Sequence, residues 1–458
     1  MIVHSRASLW CVTALLVALA ACGDDKEAAQ QVPDDGNNAP DMGMDIDEPP
    51  QDLQEDPGQE GDAPDPPEDV EPEVEDEPQE PPFAWDEAPV VPMALVDGLP
   101  LIDVTIDAQG PFPFVVDTLS QTIFVDVDIV GDDLFHQAEV SLGEDKDLGE
   151  LIVKGRDMDP DEANLGVDIG GLVGQRYLDN RFTLLDYPGR QVRLLDRTPP
   201  EDVSPPPGHE DQPLHTFFYE LPNLFPVVVP TVGADTEVPL LADTSSRMTF
   251  ISQRAFDAID DGTLPQIGGY RHWSNFGEDA AFLTRLPEFR FGELVVRDLV
   301  VGVVPDDNHL VAVLEPNGVS VEGFLGANFW NRFAVGVDGF RIPGMGQSEG
   351  GTKLFFVWGD GTPLEEQLAS WVRVGVELAR RDGGVIIEMV FEGSDAAAQG
   401  LVQGAVIESI DGQAAAELTL EEVRQRLTGQ VGESRTLMVT LPEAEGPTEV
   451  VVQVEAVF

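Results

Sequence analysis

The sequence FPFVVDTLSQTIFV at Phe112–Val125 returns in altered form as VPLLADTSSRMTFIS at Val238–Ser252. In each stretch an apolar run ends in Asp-Thr, small or polar residues follow, and a second apolar run begins. Short apolar runs rich in Val, Ile and Phe and bounded by turn residues are typical of buried β-strands. Each stretch therefore predicts two strands joined by a turn, with Asp117 or Asp243 beside a core that can shift its pKa.

A second pattern follows each copy of the first. Leu172-Val173-Gly174 comes after Asp117, and Phe324-Leu325-Gly326 comes after Asp243. Both glycines precede an aromatic residue, an Arg-Phe pair and an aspartate, which are Tyr177, Arg181-Phe182 and Asp186 in the first copy and Phe329, Arg332-Phe333 and Asp338 in the second. Repetition on this scale indicates a duplicated architecture. The sequence thus predicts two similar half-molecules that each contribute one aspartate.

The pairing of Asp-Thr-x-Ser with a later apolar-apolar-Gly, present twice, resembles the two-lobed aspartic peptidases of the pepsin and retropepsin type. The resemblance covers Ala88–Trp358 and implies two β-barrel-like lobes, with Asp117 and Asp243 facing each other at their interface. Two carboxyl groups held that close share one proton. The implied reaction is hydrolysis of peptide bonds by a water that the pair activates, with peptides or proteins as substrates and without a cofactor.

The resemblance also implies supporting roles for three residues in each lobe. A threonine braces one loop against the other, a serine hydrogen-bonds the outer carboxylate oxygen, and a glycine buttresses the loop. These residues are Thr118, Ser120 and Gly174 in the first lobe and Thr244, Ser246 and Gly326 in the second.

Two positions depart from the family pattern. Leu119 and Ser245 stand where the family has glycine, and no tyrosine lies between Asp117 and Gly174, where a flap tyrosine is expected. Serine is a small change, whereas leucine adds bulk beside the site. Two interpretations stay open: an active peptidase, and a folded but inactive homologue that serves as a scaffold for peptide binding. A third is a surface protein with an unrelated adhesive function.

The C-terminal part has a different order of elements. Arg373–Leu378 and Val385–Val390 predict strands, and Thr419–Leu427 predicts a helix with Thr419 as N-cap and Glu422 at the capping-box position. This order resembles a bacterial PDZ domain over Gln367–Phe458.

The PDZ resemblance implies peptide binding by strand addition. Backbone N–H groups around Val374, Gly375 and Val376 would receive a terminal carboxylate, and the groove would lie between this strand and the helix Thr419–Leu427. The alternative is that the domain packs against the lobes of its own chain, so that the groove is not free.

The N-terminus is typical of an export signal. The apolar run Ala7–Ala20 is too short to span a membrane as a stable helix, and Leu19-Ala20-Ala21-Cys22 matches the bacterial lipobox. This match implies cleavage before Cys22 and lipidation of its thiol. The protein would then be lipid-anchored to a membrane of the bacterial cell envelope, facing the periplasm or the exterior. An ordinary secretory signal with a chance cysteine is the alternative.

The composition of the chain limits its possible binding partners and predicts a segment that does not fold. The formal net charge of −61 argues against nucleic acid or anionic lipid as a partner. Residues 22–89 are mostly Asp, Glu, Pro and Gln, and such a segment cannot bury enough apolar surface to fold, which predicts a disordered acidic tether.

The fold predicted for the whole chain is mostly β, with two duplicated lobes followed by a PDZ domain. The predicted segments are a signal peptide at 1–21, the tether at 22–89, lobe one at 90–200, a linker at 201–213, lobe two at 214–358 and the PDZ domain at 367–458.

Other chemistries lack their usual motifs. The six histidines form no H-E-x-x-H spacing, and no G-x-S-x-G appears. The acidic residues Asp126, Asp128, Asp132 and Asp133 lack the pattern of a calcium loop, and a solvated acidic face is the preferred interpretation. The sequence therefore predicts no metal site.

Overall fold

The computed structural model describes residues 83–120, 122–131, 134–143, 146–174, 182–195, 199, 203–219, 225–274, 277–308, 320–338, 353–363, 371–381 and 383–458. The predicted signal peptide, Cys22 and nearly all of the predicted tether lie outside these residues. Tyr177, Arg181, Asp132 and Asp133 also lie outside them.

Lobe one consists mainly of strands. A 3-10 turn at Trp85–Glu87 precedes it. Its elements are β1 Val90–Val96, β2 Leu99–Ile106, β3 Gln109–Asp117, β4 Phe124–Asp126, α1 Val127–Val130, β5 His136–Leu142, β6 Lys146–Arg156, α2 Asp159–Leu165, β7 Gly171–Gly174, β8 Phe182–Asp186 and β9 Gln191–Leu195.

Lobe two follows the same general plan. Its elements are β10 Leu214–Tyr219, β11 Val227–Val228, β12 Thr231–Val232, β13 Thr236–Glu237, β14 Leu240–Ala242, β15 Thr249–Ser252, α3 Gln253–Ile259, β16 Ile267–Ser274, β17 Gly277–Phe291, β18 Leu294–Val304, β19 Gly323–Leu325, α4 Ala327–Trp330, β20 Ala334–Asp338 and β21 Lys353–Trp358.

The strands around each predicted aspartate turn pair in the same way. In lobe one β7 runs parallel to β3 and antiparallel to β4. In lobe two β19 runs parallel to β14 and antiparallel to β15. The strand after each turn also pairs in parallel with a later strand, β4 with β6 and β15 with β18. The duplication seen in the sequence is therefore a duplication of strand topology.

One sheet joins the two lobes. Strand β8 of lobe one pairs antiparallel with β20 of lobe two, with Leu184 opposite Gly336. The sheet runs in the order β10-β21-β20-β8-β9-β1 before it continues into the rest of lobe one. The side chains of Tyr187, Trp330 and Trp358 are fully buried, and Tyr187 and Trp330 belong to one apolar core that contains residues of both lobes. Because burying aromatic side chains of this size is strongly favourable, the lobes are fixed to each other.

The C-terminal domain has a core of its own. Its elements are β22 Val372–Arg373, β23 Val376–Arg381, β24 Gly384–Val390, α5 Asp395–Ala398, β25 Val406–Ile410, β26 Gln413–Ala414, a 3-10 turn at Ala415–Glu417, α6 Leu420–Leu427, β27 Ser434–Thr440, β28 Thr448–Gln453 and β29 Glu455–Ala456.

Helix α6 begins as the sequence predicts. The Thr419 side chain accepts a hydrogen bond from the Glu422 N–H, and the Glu422 carboxylate accepts one from the Thr419 N–H. Strand β23 is the edge of the C-terminal sheet, which runs β23-β24-β25-β27-β28. Helix α6 packs against β23, and the PDZ groove is expected between these two elements.

The predicted fold class is confirmed for the described residues, which are mostly β with barrel-like sheets in the two lobes. Residues from Phe83 to Phe458 form one compact unit, so the bounds assigned to the separate lobes and to the linker at 201–213 stay a prediction. In the part of the chain that the structure describes, no helix is long and apolar enough to cross a membrane.

Candidate active site

Both predicted aspartates lie at the carboxyl end of a buried strand. Asp117 ends β3 and is paired with Gly174 of β7. Asp243 directly follows β14, and its N–H donates to the carbonyl oxygen of Leu325 in β19 at 3.0 Å. The side chains are nearly inaccessible, with Asp117 at 4% and Asp243 at 6% relative exposure. The two turns are thus equivalent, and each places a carboxyl group inside the protein.

The glycines after these turns leave no room for a side chain. A Cβ added to Gly174 would lie 2.1 Å from the carbonyl oxygen of Thr122 and 2.4 Å from that of Ser120. A Cβ added to Gly326 would lie 2.4 Å from the carbonyl oxygen of Met248. The backbone of each apolar-apolar-Gly segment therefore packs directly on the loop that carries the aspartate.

The two loops are joined by reciprocal hydrogen bonds. The N–H of Thr118 donates to Thr244 Oγ1, and the N–H of Thr244 donates to Thr118 Oγ1, both at 3.1 Å. The hydroxyl of Thr118 donates to the carbonyl oxygen of Ala242 at 2.7 Å, and that of Thr244 donates to the carbonyl oxygen of Val116 at 2.6 Å. Because each threonine directly follows its aspartate, this exchange brings Asp117 and Asp243 to one seam between the lobes.

The carboxylate of Asp117 accepts two hydrogen bonds from its own loop. Its Oδ1 accepts the N–H of Leu119 at 2.8 Å, and its Oδ2 accepts the hydroxyl of Ser120. The backbone of Leu119 therefore makes a turn contact that needs no side chain, while its side chain is only half-buried.

The carboxylate of Asp243 is held by different donors. Its Oδ1 accepts the N–H and the hydroxyl of Ser245, both at 2.8 Å, and the N–H of Ser246 at 3.1 Å. The hydroxyl of Ser246 instead donates to the carbonyl oxygen of Met248 at 2.8 Å. The expectation that the Ser246 side chain binds the carboxylate is therefore wrong, because its backbone N–H binds the carboxylate and its hydroxyl binds a backbone carbonyl instead.

The charge of Asp117 affects the ionisation of Asp243. Burial is the main cause that raises the pKa of Asp243 to about 7, and the negative charge of Asp117 adds to the rise, while the hydrogen bonds from Ser245 and Ser246 oppose it. Asp243 therefore keeps its proton up to near-neutral pH, although it is a carboxyl group.

Two further groups lie within electrostatic reach of the pair. Burial raises the pKa of Asp161 in α2 against the opposing charge of Arg156, and the charge of Asp117 adds to the rise. Burial and then the charge of Asp243 raise the pKa of Tyr187, whose hydroxyl has no hydrogen-bond partner among the described residues. The sequence analysis did not select either residue, and nothing in their local pattern distinguishes them.

A second pair of glycines was also missed. Gly171 and Gly323 occupy equivalent places in β7 and β19, and an added Cβ would lie 1.9 Å from the carbonyl oxygen of Phe124 and 2.0 Å from that of Phe250, respectively. The signal was present in the sequence, since both repeats read Gly-apolar-apolar-Gly.

The acidic stretch that begins at the end of β4 was interpreted as a solvated face, and its first residue, Asp126, is not solvated. Asp126 is buried, and its Oδ1 accepts the N–H of Asp128 at 2.9 Å, so that Asp126 is the N-cap of α1. The carboxylate of Asp126 thus binds the start of a helix and is shielded from solvent, which corrects the preferred interpretation for this residue. Within the described ranges no group of three or more His, Cys, Asp or Glu side chains could hold a metal ion.

In the C-terminal domain, backbone N–H groups of the predicted carboxylate-binding segment donate to carbonyl oxygens of the same domain. The N–H of Val374 donates to the carbonyl oxygen of Leu427 at 2.9 Å, and the N–H of Val376 donates to that of Val374 at 2.7 Å. A Cβ on Gly375 would lie 2.4 Å from the Cβ of Ser394. In this arrangement two of the three expected N–H donors are therefore already engaged.

Comparison with known proteins agrees with the domain assignment at the C-terminal end. Residues 368–441 match the family model of the PDZ domain, which confirms that prediction. PDZ domains bind peptides. No curated protein matches the chain.

Several solved structures resemble parts of the chain. The photosystem II D1 C-terminal processing protease is 22% identical, with 19% of this chain and 24% of that chain covered and a TM-score of 0.18. The PDZ domain of a carboxy-terminal protease from Vibrio cholerae in complex with peptide is 27% identical over 18% of this chain and 90% of that chain, with a TM-score of 0.16. A retropepsin-like aspartic protease from Rickettsia conorii is 14% identical over 32% of this chain and 94% of that chain, with a TM-score of 0.21. The chain thus spans about a quarter of the first of these proteins.

Proposed function

We propose that the protein is an exported aspartic-type endopeptidase, lipid-anchored at Cys22 in the cell envelope, whose PDZ domain binds peptides or substrates. One observation supports the catalytic part above all others. The reciprocal hydrogen bonds of Thr118 and Thr244 hold two buried aspartates at one seam. A structural aspartate needs no second aspartate across an interface, whereas a general acid–base pair does. Incorporation of labelled palmitate into the expressed chain tests the anchor separately.

The asymmetry of the site supports a division of roles. Since the pKa of Asp243 is raised to about 7, Asp243 holds the shared proton and donates it to the carbonyl oxygen of the scissile peptide bond. Asp117 then accepts a proton from the attacking water, whose oxygen bonds to the carbonyl carbon. The tetrahedral intermediate breaks down when Asp117 gives its proton to the amide nitrogen and Asp243 takes back a proton from a hydroxyl of the intermediate. The C–N bond then breaks, which releases the amine and a carboxylic acid and restores both aspartates. No covalent bond to the enzyme forms in this sequence.

The pH dependence of hydrolysis tests this proposal. Activity on a denatured protein mixture should be present on the acid side of neutral pH and fall about tenfold per pH unit above about pH 7. The reason is that Asp243 loses its proton there and the pair no longer contains an acid. The measurement is the initial rate of release of new amino termini, with and without pepstatin. A rate that is unchanged to about pH 9, or that pepstatin leaves intact, would contradict an aspartate pair.

Leu119 favours the second candidate function, an inactive peptidase-like scaffold that binds peptides through its PDZ domain. Leu119 follows Asp117 by two residues and stands at a position where the resemblance calls for glycine. If the bulk of leucine only hinders substrate, Leu119→Gly should raise kcat/KM for a peptide by about tenfold, because the backbone bond to Asp117 is kept.

The matched control for this prediction is Ser245→Gly, which makes the same change at the equivalent position of lobe two but removes little bulk. It should produce no comparable gain. A chain in which neither variant nor the wild type hydrolyses peptides at any pH, while the folded protein still binds them, would favour the scaffold.

A further inference from the structure

The PDZ domain is docked against both lobes of its own chain. At lobe two the N–H of Glu392 donates to the carbonyl oxygen of Gly268 in β16 at 2.9 Å. At lobe one the helix α2 packs against β23, the strand at the edge of the PDZ sheet. The backbone of Gly166, which ends α2, lies so close to α6 that an added Cβ would be 2.4 Å from the Cβ of Leu420.

The groove between β23 and α6 is bridged by a single arginine. Arg424 of α6 donates through Nη2 to the carbonyl oxygen of Leu378 on β23 at 3.3 Å and to that of Asn164 on α2 at 3.1 Å. A peptide that adds to β23 needs the carbonyl and N–H groups of this strand edge. Arg424 therefore connects the helix wall, the strand wall and a lobe-one helix at the place where a ligand would lie.

An aspartate of lobe one forms ion pairs with Arg424 and with an arginine of lobe two. Asp97 is in the turn between β1 and β2, and its Oδ2 lies 3.4 Å from Nη1 of Arg424 and also pairs with Arg247. Burial disfavours the ionised form of Asp97, but the charges of Arg424 and Arg247 outweigh burial and hold its pKa below the usual range. Arg247 belongs to the loop that carries Asp243. One carboxylate thus joins lobe one, the Asp243 loop and the PDZ helix.

We propose that α2 (Asp159–Leu165) and Gly166 are the resident occupant of the PDZ groove, and that peptide ligands bind only when the PDZ domain separates from this segment. Two observations point the same way: both walls of the groove contact the segment, and Arg424 bridges all three elements. The sequence left a free groove and a groove closed by the lobes equally open, and these contacts favour the closed form.

The test uses Asp97→Asn in the full-length chain. Asp97 lies outside the groove and has a φ of 51°, a conformation that asparagine tolerates well, so that the substitution removes the charge without straining the turn. Asp107→Asn is the matched control. Asp107 is also in a lobe-one hairpin turn with a φ of 50°, but its partners, His136 and the N–H of Glu139, belong to lobe one. All chains also carry Asp117→Asn, so that the probe is not cleaved.

Two readouts are measured. Hydrogen–deuterium exchange in Asp159–Leu165 and Val376–Arg381 should become about five- to tenfold faster in Asp97→Asn, because losing two partly exposed ion pairs raises the population of the open form. Binding of fluorescein-labelled nonapeptides, random in sequence except for a C-terminal Val carboxylate, should tighten by a similar factor, since apparent affinity scales with the competent fraction. Asp107→Asn should match the parent chain in both readouts.

The proposal is overturned by unchanged exchange in both segments of Asp97→Asn, or by a parent chain that binds the probe as tightly as this variant. If no chain binds the probe, the exchange measurement decides alone, because it needs no ligand. Neither readout depends on peptide hydrolysis, so the result is independent of whether the site is catalytically active.

Discussion

Replacing either Asp117 or Asp243 by asparagine is expected to lower kcat/KM for peptide hydrolysis by about a thousandfold or more. Asparagine preserves the shape and can still accept the loop N–H bonds, but it can neither hold nor release the proton that the pair shares. Because the two carboxyl groups act as a unit, the double variant should lose little more activity than either single variant. Asp103→Asn is the control, since Asp103 is an exposed carboxylate of β2 in the same lobe.

Asp243→Asn, which should abolish activity, should at the same time stabilise the folded protein, and the size of this effect should depend on pH. The pKa of Asp243 is raised from 3.8 to about 7 in the folded protein. The stability that this group adds is therefore fully present below about pH 4 and is lost as the pH rises through about 7. A neutral asparagine does not suffer this loss. The melting temperature of Asp243→Asn, relative to that of the wild type, should thus be higher at pH 8 than at pH 4.

Thermal unfolding of both proteins at the two pH values checks this expectation. A difference in melting temperature that does not change with pH would mean that Asp243 is not desolvated. A variant that loses activity while keeping or raising stability separates catalysis from folding, which a structural role for the aspartate does not allow.

The duplicated architecture could be predicted because its signal is local and occurs twice. Asp-Thr at a strand end and apolar-apolar-Gly further on each need a particular backbone environment, and the second copy removes the ambiguity of the first. The N-cap at Thr419 is local in the same sense, since two residues three positions apart, Thr419 and Glu422, are enough to specify a capping box.

The hydrogen bonds within each loop could not be predicted at the same level. Ser120 and Ser246 occupy equivalent sequence positions, yet the hydroxyl of Ser120 donates to Asp117 and that of Ser246 donates to Met248. In lobe two the hydroxyl of Ser245 already donates to the carboxylate, while Leu119 has no hydroxyl to offer in lobe one. A serine hydroxyl can reach several neighbouring acceptors. The sequence pattern does not specify which of them it binds.

The sequence left the docking of the PDZ domain open and did not indicate which residues would make it. Asp97, Arg247 and Arg424 come from three distant segments, and each by itself is typical of a solvated charge. Only the tertiary structure brings them together, and only then does a turn aspartate become a link between the Asp243 loop and a peptide groove. The composition gave no indication, because a chain with a net charge of −61 has many more carboxylates than partners for them.

Gly174→Ala and Gly326→Ala are expected to destabilise the fold by about 3 kcal/mol or more each, because the added methyl groups meet backbone atoms that cannot move aside. The ideal Cβ positions lie 2.1 Å and 2.4 Å from the nearest carbonyl oxygens, far inside van der Waals contact. Any relief has to come from displacement of the loops that carry Asp117 and Asp243. The reciprocal threonine bonds should weaken together with the fold.

Chemical denaturation with the activity assay in parallel measures both effects. The control is Gly446→Ala, since a Cβ at Gly446 meets nothing within 4 Å and Gly446 is not at positive φ. Its stability should stay within about 0.5 kcal/mol of the wild type. Either glycine variant could have the same denaturation midpoint as the wild type. In that case the glycine would not support its loop, and the two half-sites would not be equivalent at that residue. The expected result, a matched loss in both lobes, would tie the repeated sequence pattern to the geometry that holds the two aspartates together.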